Sequence, residues 1–438
     1  MVLRKMLLAL FAASSLLALH AQTITATVYN SHFPEAAKGG EAWNGISVAD
    51  DGTVYYVLSS PVYNVPAHMY SFHPKTKEIK DISNLNDAVG QTGKFVAQGK
   101  SHVSFVQDGD RLYFSTHLGY YNHVEGVEVN AAAPEGYAKY PGGHFVSYNM
   151  KTGKFESLAM APGGDGIITF AMDTQRKRMY GITWPRGEFL RYDVKTKELR
   201  DLGTKFHGGE EGKLGDTYRS ICRRIVIDPR DGSAYFTTGE GDIYRYDYAS
   251  DSIAQVEGVS LKKDYFGQQD PKQHGMAYNW RAAVWDPQRN VIYGINGRTG
   301  YLFRFDPQTK TVEVLDRLTS LPSKSSGMYD KFDYGYLGLV LGADGKTLYY
   351  LTGSPLPAVA KTNGTSKATA SHGAEGCHLI TYDVTTAKYT DRGLIVLGNN
   401  EPATAAQGLA VAPDGTAYTM VYVTRNGRRN IELISFKP

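Results

Sequence analysis

The sequence predicts an all-β chain, a seven-bladed β-propeller of four-stranded antiparallel blades, on three observations. A two-strand pattern around a tight turn recurs seven times, a second and more polar hairpin follows most copies, and the last copy is one strand short while a spare strand sits near the chain start.

The copies begin at Ile46 (ISVADDGTVYYVLS), Val103 (VSFVQDGDRLYFST), Ile168 (ITFAMDTQRKRMYGIT), Arg224 (RIVIDPRDGSAYFTT), Ala282 (AAVWDPQRNVIYGIN), Leu337 (LGLVLGADGKTLYYLT) and Gly408 (GLAVAPDGTAYTMVY). Each is an apolar run, a turn that is usually Asp-Gly, and an aromatic strand, the strongest short-range hairpin signal. The turns align at Gly52, Gly109, Lys177, Gly232, Asn290, Gly345 and Gly415, spaced 55 to 70 residues apart. The second hairpin, as in EFLRYDVKTKELRDLG, turns on a Lys-Thr or similar pair and ends in a polar strand. Its SYN, RYD, RFD and TYD motifs read as packing between blades. The seventh unit ends in NIELISFKP with three strands, and TITATVY at 23–29 is expected to supply the fourth and close the ring.

Residues 1–21 read as a signal peptide: Arg4 and Lys5 precede an apolar run, and Ala21 precedes Gln22. The mature chain, 22–438, is then one propeller domain, exported to the periplasm or beyond and with no membrane span. Without Arg4 and Lys5 the net charge falls from +3 to about +1, which argues against a nucleic-acid partner. Cys222 and Cys377 fall in different repeats. An oxidising compartment would permit a disulfide between them, and two buried thiols are the alternative.

In a four-stranded meander the Asp-Gly and Lys-Thr turns share one face. The opposite face receives the long segments 59–67, 84–100, 118–143, 203–220, 258–280, 319–336 and 352–376, so binding or catalysis is expected there. The stretch 101–123, SHVSFVQDGDRLYFSTHLGYYNH, is the distinctive one, because no other copy has its three histidines. His102 opens an inner strand, His117 ends its neighbour, and Tyr120, Tyr121 and His123 follow in a loop. A neutral histidine can take a proton near pH 7 and a tyrosine can give one to a leaving oxygen. Arg219, Arg223, Arg224 and Arg281 could hold a carboxylate. Trp184, Trp280, His144 and His207 are further substrate-binding candidates on this face.

This set fits β-elimination next to a uronic acid, with an acidic oligo- or polysaccharide as partner and a monomer expected. The plain alternative has the histidines serving loop backbone and the arginines pairing with Asp216 and Asp228. A metal reading is also open, through His102, His117 and His123 or through His372, Cys377 and His378, which would make a divalent ion the cofactor. The acids Glu41, Glu210, Glu211, Asp216 and Asp330 have no mate fixed by the repeats, so a two-carboxylate hydrolysis ranks below elimination.

Over 22–438 the chain resembles secreted seven-bladed propellers through its Asp-Gly hairpins. It is similar in residue types to the propeller polysaccharide lyases acting on uronic-acid glycans, on His102, His117 or His123, Tyr120 or Tyr121, and Arg219 or Arg281. That resemblance implies a lyase with histidine and tyrosine as acid and base and arginine on the carboxylate. A glycan- or protein-binding propeller without catalysis, and a metal-dependent hydrolase or lactonase, are the competing expectations.

Overall fold

The repeat units do fold as predicted. The structure is a computed structural model that describes residues 22–29, 41–124, 127–263, 266, 272, 278–296, 299–326, 338–353, 376–425 and 428–438; the side chains at 123, 124, 127, 326, 405, 424, 425, 428 and 429 are not described. Seven antiparallel blades form a ring, a seven-bladed β-propeller. Blade 1 runs through Ile46–Val48, Val54–Leu58, His68–His73 and Glu78–Asn84. Blade 2 runs through Val106–Asp108, Arg111–Ser115, His144–Asn149 and Lys154–Met160. Blades 3, 4 and 5 open on the inner strands Gly166–Asp173, Val226–Ile227 and Trp280–Asp286, and blades 6 and 7 on Leu339–Leu341 and Thr404–Val411.

The turn chemistry explains the regularity. All seven aligned turn residues, glycine or not, have positive φ: 84° at Gly52, 59° at Gly109, 58° at Lys177, 79° at Gly232, 57° at Asn290, 63° at Gly345 and 81° at Gly415. The outer turns follow the same rule at Lys77, Lys197, Asp251, Lys310 and Ala387, so each hairpin's register is set locally.

Blades are held together by apolar contact across their boundaries. Tyr148 of the SYN motif meets Tyr55 of blade 1, Tyr192 stacks on Phe145 of blade 2, Tyr246 packs on Tyr180 of blade 3 and Phe305 on Tyr235 of blade 4. These residues are buried, and they do the packing that the motifs suggested. The fourth strands alternate between exposed and half-buried residues, as in Glu198–Thr204, because nothing covers their outer side.

Ring closure differs from the expectation in one respect. Thr27–Tyr29 pairs antiparallel with the last strand, Val28 opposite Ile434, as the missing fourth strand of blade 7. Thr23–Thr25 instead pairs parallel with the outer strand of blade 6, Ile24 opposite Ile395, with Ala26 between the two. The chain start is therefore stitched to two blades. Ile24 lies in one apolar cluster with Leu379 and Ile395 of blade 6 and Leu409 and Ile434 of blade 7, which is the burial that selects this arrangement.

Cys222 and Cys377 are both buried thiols, in different clusters, so the thiol alternative describes this structure. Among the described residues no helix is long and apolar enough to cross a membrane. The signal-peptide reading falls on residues outside the described ones.

Candidate functional site

The elaborated face carries one buried polar cluster at the mouth of the central channel. It starts at Lys100, which the sequence reading did not single out. Lys100 and His117 form an isolated antiparallel bridge, each backbone N–H donating to the other's carbonyl at 2.8 Å. His102 lies two residues beyond Lys100, in an extended segment that precedes Val106–Asp108 rather than opening it. Likewise His117 lies beyond the end of Arg111–Ser115. The expectation that both histidines occupy ladder strands is corrected: the pairing partner of His117 is Lys100, made available by a local crossing of two loops.

Glycine makes that crossing feasible. A Cβ on Gly99 would stand 2.6 Å from the Gly119 backbone N, and one on Gly119 would stand 2.0 Å from the Ser60 carbonyl. Only residues without a side chain let these segments pass so closely.

From Lys100 a chain of contacts links the site. Its Nζ donates to the Tyr121 hydroxyl at 2.5 Å and lies over two rings, 4.3 Å from the centroid of Tyr121 and 5.1 Å from that of Trp43. Trp43 in turn stacks on His102 at 5.0 Å. Trp184 sits 6.3 Å from Tyr121 and edge-on to His117 at 5.5 Å. The Trp184 indole donates to Glu210 Oε2 at 2.9 Å, and Arg223 reaches both Glu210 oxygens, at 2.7 and 2.8 Å. Glu210 also accepts from the Ile221 backbone N–H at 2.8 Å.

Electrostatics divides these groups into roles. His102 and His117 are 4% and 1% exposed, and the Nδ1 of each has no hydrogen-bond partner. Burial holds His102 well below the usual histidine range, reinforced by Arg281, Arg223, Lys100 and His117. Burial, then Lys100 and Arg223, does the same to His117. Burial also lowers Lys100, while Glu128 and Glu41 oppose the shift. The Tyr121 hydroxyl is pushed far up by burial, by Glu128, which it also hydrogen-bonds, and by Glu41 and Tyr422. Burial would raise Glu210, but the Arg223 guanidinium and its hydrogen bonds bring it below the usual carboxylate range. The arrangement thus holds two neutral imidazoles, a protonated phenol and fixed cations in one desolvated place.

The other sequence candidates scatter. Tyr120 packs edge-on to Tyr63 at 5.7 Å. His123 pairs with Glu128 in a hairpin, Tyr121–Val124 with Val127–Asn130, inserted between the second and third strands of blade 2; its side chain is outside the described ones. Of the four arginines, Arg223 and Arg281 share the surroundings of His102. Arg224 instead donates to the Ala283 carbonyl at 3.1 Å, and Arg219 is paired with Glu240. The expected partners are corrected as well: Asp228 holds Arg230, and Asp216 offers Arg219 only its backbone carbonyl. Trp280 is fully buried against Phe303, and Trp184 is equally buried, so neither presents a face for a sugar. His144 bonds Ser157 at 2.8 Å on the rim, and His207 is exposed in its loop. His378 is held by Asp391 at 3.0 Å, while His372 and Asp330 lie outside the described residues. Among the described residues no three His, Cys, Asp or Glu side chains converge as metal ligands would.

Lys100, Trp43 and Glu128 were missed. One signal was present: Lys100 and His102 are two residues apart in FVAQGKSHVSF, a spacing that in an extended chain puts two side chains on one side. Trp43 and Glu128 carry no comparable mark.

The fold and site define a propeller with a buried, cationic, histidine-bearing cluster on its elaborated face. No protein-family profile and no curated protein matches the chain. Solved structures do share the fold. An oligogalacturonate lyase from Vibrio parahaemolyticus is 10% identical, with 90% of this chain and 91% of that one covered and a TM-score of 0.48. A proposed 6-phosphogluconolactonase from Bacteroides uniformis is 12% identical, covering 83% and 86%, with a TM-score of 0.46. A chain of a mitotic checkpoint complex is 10% identical, covering 93% and 98%, with a TM-score of 0.49.

Proposed function

We propose that the protein is an exported carbohydrate-active lyase that cleaves an acidic oligo- or polysaccharide next to a uronic acid by β-elimination. One observation carries this reading: neutral histidines, fixed cations and a protonated tyrosine bonded to Lys100 meet in a single buried cluster. Arg281 and Lys100 would take the uronate carboxylate, with Arg223 held in place by Glu210. Neutralising that carboxylate makes the neighbouring C5 proton removable. His102 takes it, the C4–O4 bond breaks as the C4–C5 double bond forms, and Tyr121 protonates the departing oxygen. The substrate's negative charge offsets the cations that depress His102, so the base strengthens when substrate binds.

The test is a panel of uronic-acid glycans followed by the ultraviolet absorbance of an unsaturated uronide. H102A and Y121F should each lower the rate roughly a hundredfold or more, the usual contribution of acid and base groups. Reducing ends without new absorbance would show hydrolysis instead, and saturable binding without product would show a binding propeller.

A further inference from the structure

The blade 2 insertion supplies more than Tyr121. Its two strands pair Tyr121 with Asn130 and His123 with Glu128, so Tyr121 and Glu128 stand diagonally on one face of a two-stranded sheet. Tyr121 also receives the Lys100 ammonium at 2.5 Å. Resting on the lyase reading above, we propose that Glu128 is the positioning residue for the acid: its carboxylate accepts the Tyr121 hydroxyl and holds the phenol between itself and Lys100.

The placement makes chemical sense. A phenol with a free rotor would share its hydrogen bond among several acceptors, whereas here the ring is packed on Trp184 and the oxygen is fixed at two points. The carboxylate keeps the proton on Tyr121 at rest, and the ammonium stabilises the tyrosinate formed once that proton goes to the leaving oxygen. After product leaves, His102 releases the proton it took from C5 and Tyr121 takes one up from solvent, so nothing else is consumed. Glu128 also favours the charged forms of Lys100 and Arg223. The charged and titratable groups facing the Lys100–Tyr121 pair are Glu128, Glu41, Tyr422, Arg223, Arg281, His102 and His117. Of these only Glu128 shares the hairpin with Tyr121, so the insertion carries the acid and its holder together.

The experiment has two arms. In the first, the full chain labelled at the lysine ε-carbon is titrated by NMR, with the Lys100 signal assigned through its loss in K100R. E128Q should lower the Lys100 midpoint by at least half a pH unit, because the largest group favouring its charged form is gone. An unmoved midpoint overturns the proposal whether or not the protein is a lyase. In the second, E128Q should cut kcat roughly tenfold or more with KM little changed, shift the alkaline limb of the rate profile to lower pH, and add nothing in a Y121F background. E128D should recover part of the rate. Equal losses from E128Q in wild-type and Y121F backgrounds would assign Glu128 a merely structural role and overturn the proposal. A wild-type protein inactive on every uronic glycan overturns the lyase reading, and the Lys100 midpoint still decides where Glu128 acts.

Discussion

Glu210 shows how a single buried residue sets the state of the site. It is the counter-charge of Arg223 and accepts from Trp184 and Ile221 as well, so all its capacity is used inside the protein. Substituting Glu210→Gln leaves Arg223 buried without its partner and should cost about 3–5 kcal/mol in urea denaturation; a variant as stable as wild type would refute the pairing. The two histidines give a pH signature. Their folded-state pKa values lie below the unfolded value of 6.5, so below that pH the unfolded chain binds protons that the folded one does not. Stability is therefore complete above about pH 6.5 and falls as the solution is acidified from there. Glu210 adds a second loss at lower pH, present above its unfolded value near 4.5 and lost as pH drops through the folded value. Denaturation midpoints of wild type and H102Q between pH 7 and 5 should diverge, with H102Q the less acid-sensitive; parallel curves would mean that His102 titrates normally. These residues also mark the limit of sequence reading at this scale. The sequence singled out His102 and His117 by their place beside one repeat hairpin, whereas Glu210 found its mate 13 residues away through a loop whose path no periodicity encodes.

At the level of elements, the site depends on loops passing close to inner strands. The blade 3 inner strand begins at Gly166, and a Cβ there would lie 1.8 Å from His117 Nδ1. Gly166→Ala should therefore displace the imidazole, with a stability loss of about 1–3 kcal/mol from overpacking and a loss of activity larger than its stability effect explains. Wild-type behaviour in both assays would place His117 elsewhere. A repeated feature of the third strands accounts for two sequence candidates, His144 and His378, and for a third histidine, His68. His68, His144 and His378 each open a third strand and bond a fourth-strand side chain, respectively Asp81, Ser157 and Asp391. All three sit where the ladder slips register, and each ring satisfies a polar group beside the bulge. Their spacing was visible in the sequence, but the bulge that employs them was not. The Tyr121–Asn130 hairpin was similarly hidden, since its strands are four residues each and its turn lacks the Asp-Gly signal.

For the whole molecule, closure of the ring is the controlling event, because an open seven-blade array would bare the apolar faces of blades 7 and 1, which share one cluster around Tyr56 and Met420. Ile24 anchors both blades 6 and 7 through one cluster. Ile24→Ala should cost about 2–4 kcal/mol by chemical denaturation, more than an isolated strand residue outside the main sheets would, and should leave the isolated chemistry of the pocket intact. A negligible effect would show that the parallel strand is not part of the closure.

Blade number, blade order and the functional face follow from local chemistry: turn residues that accept positive φ, strands of period two, and loop lengths that differ between the faces. Such signals act over a few residues and repeat seven times, so they survive in the linear chain. The composition of the pocket does not. Trp43, Lys100, Tyr121 with Glu128, and Glu210 come from four different connections and Arg281 from an inner strand, and their meeting depends on glycines that admit close crossings and on burial that no single segment provides. Tertiary structure alone could make one lysine, two histidines and two arginines neighbours, because only a closed ring excludes enough water to hold neutral bases beside fixed cations.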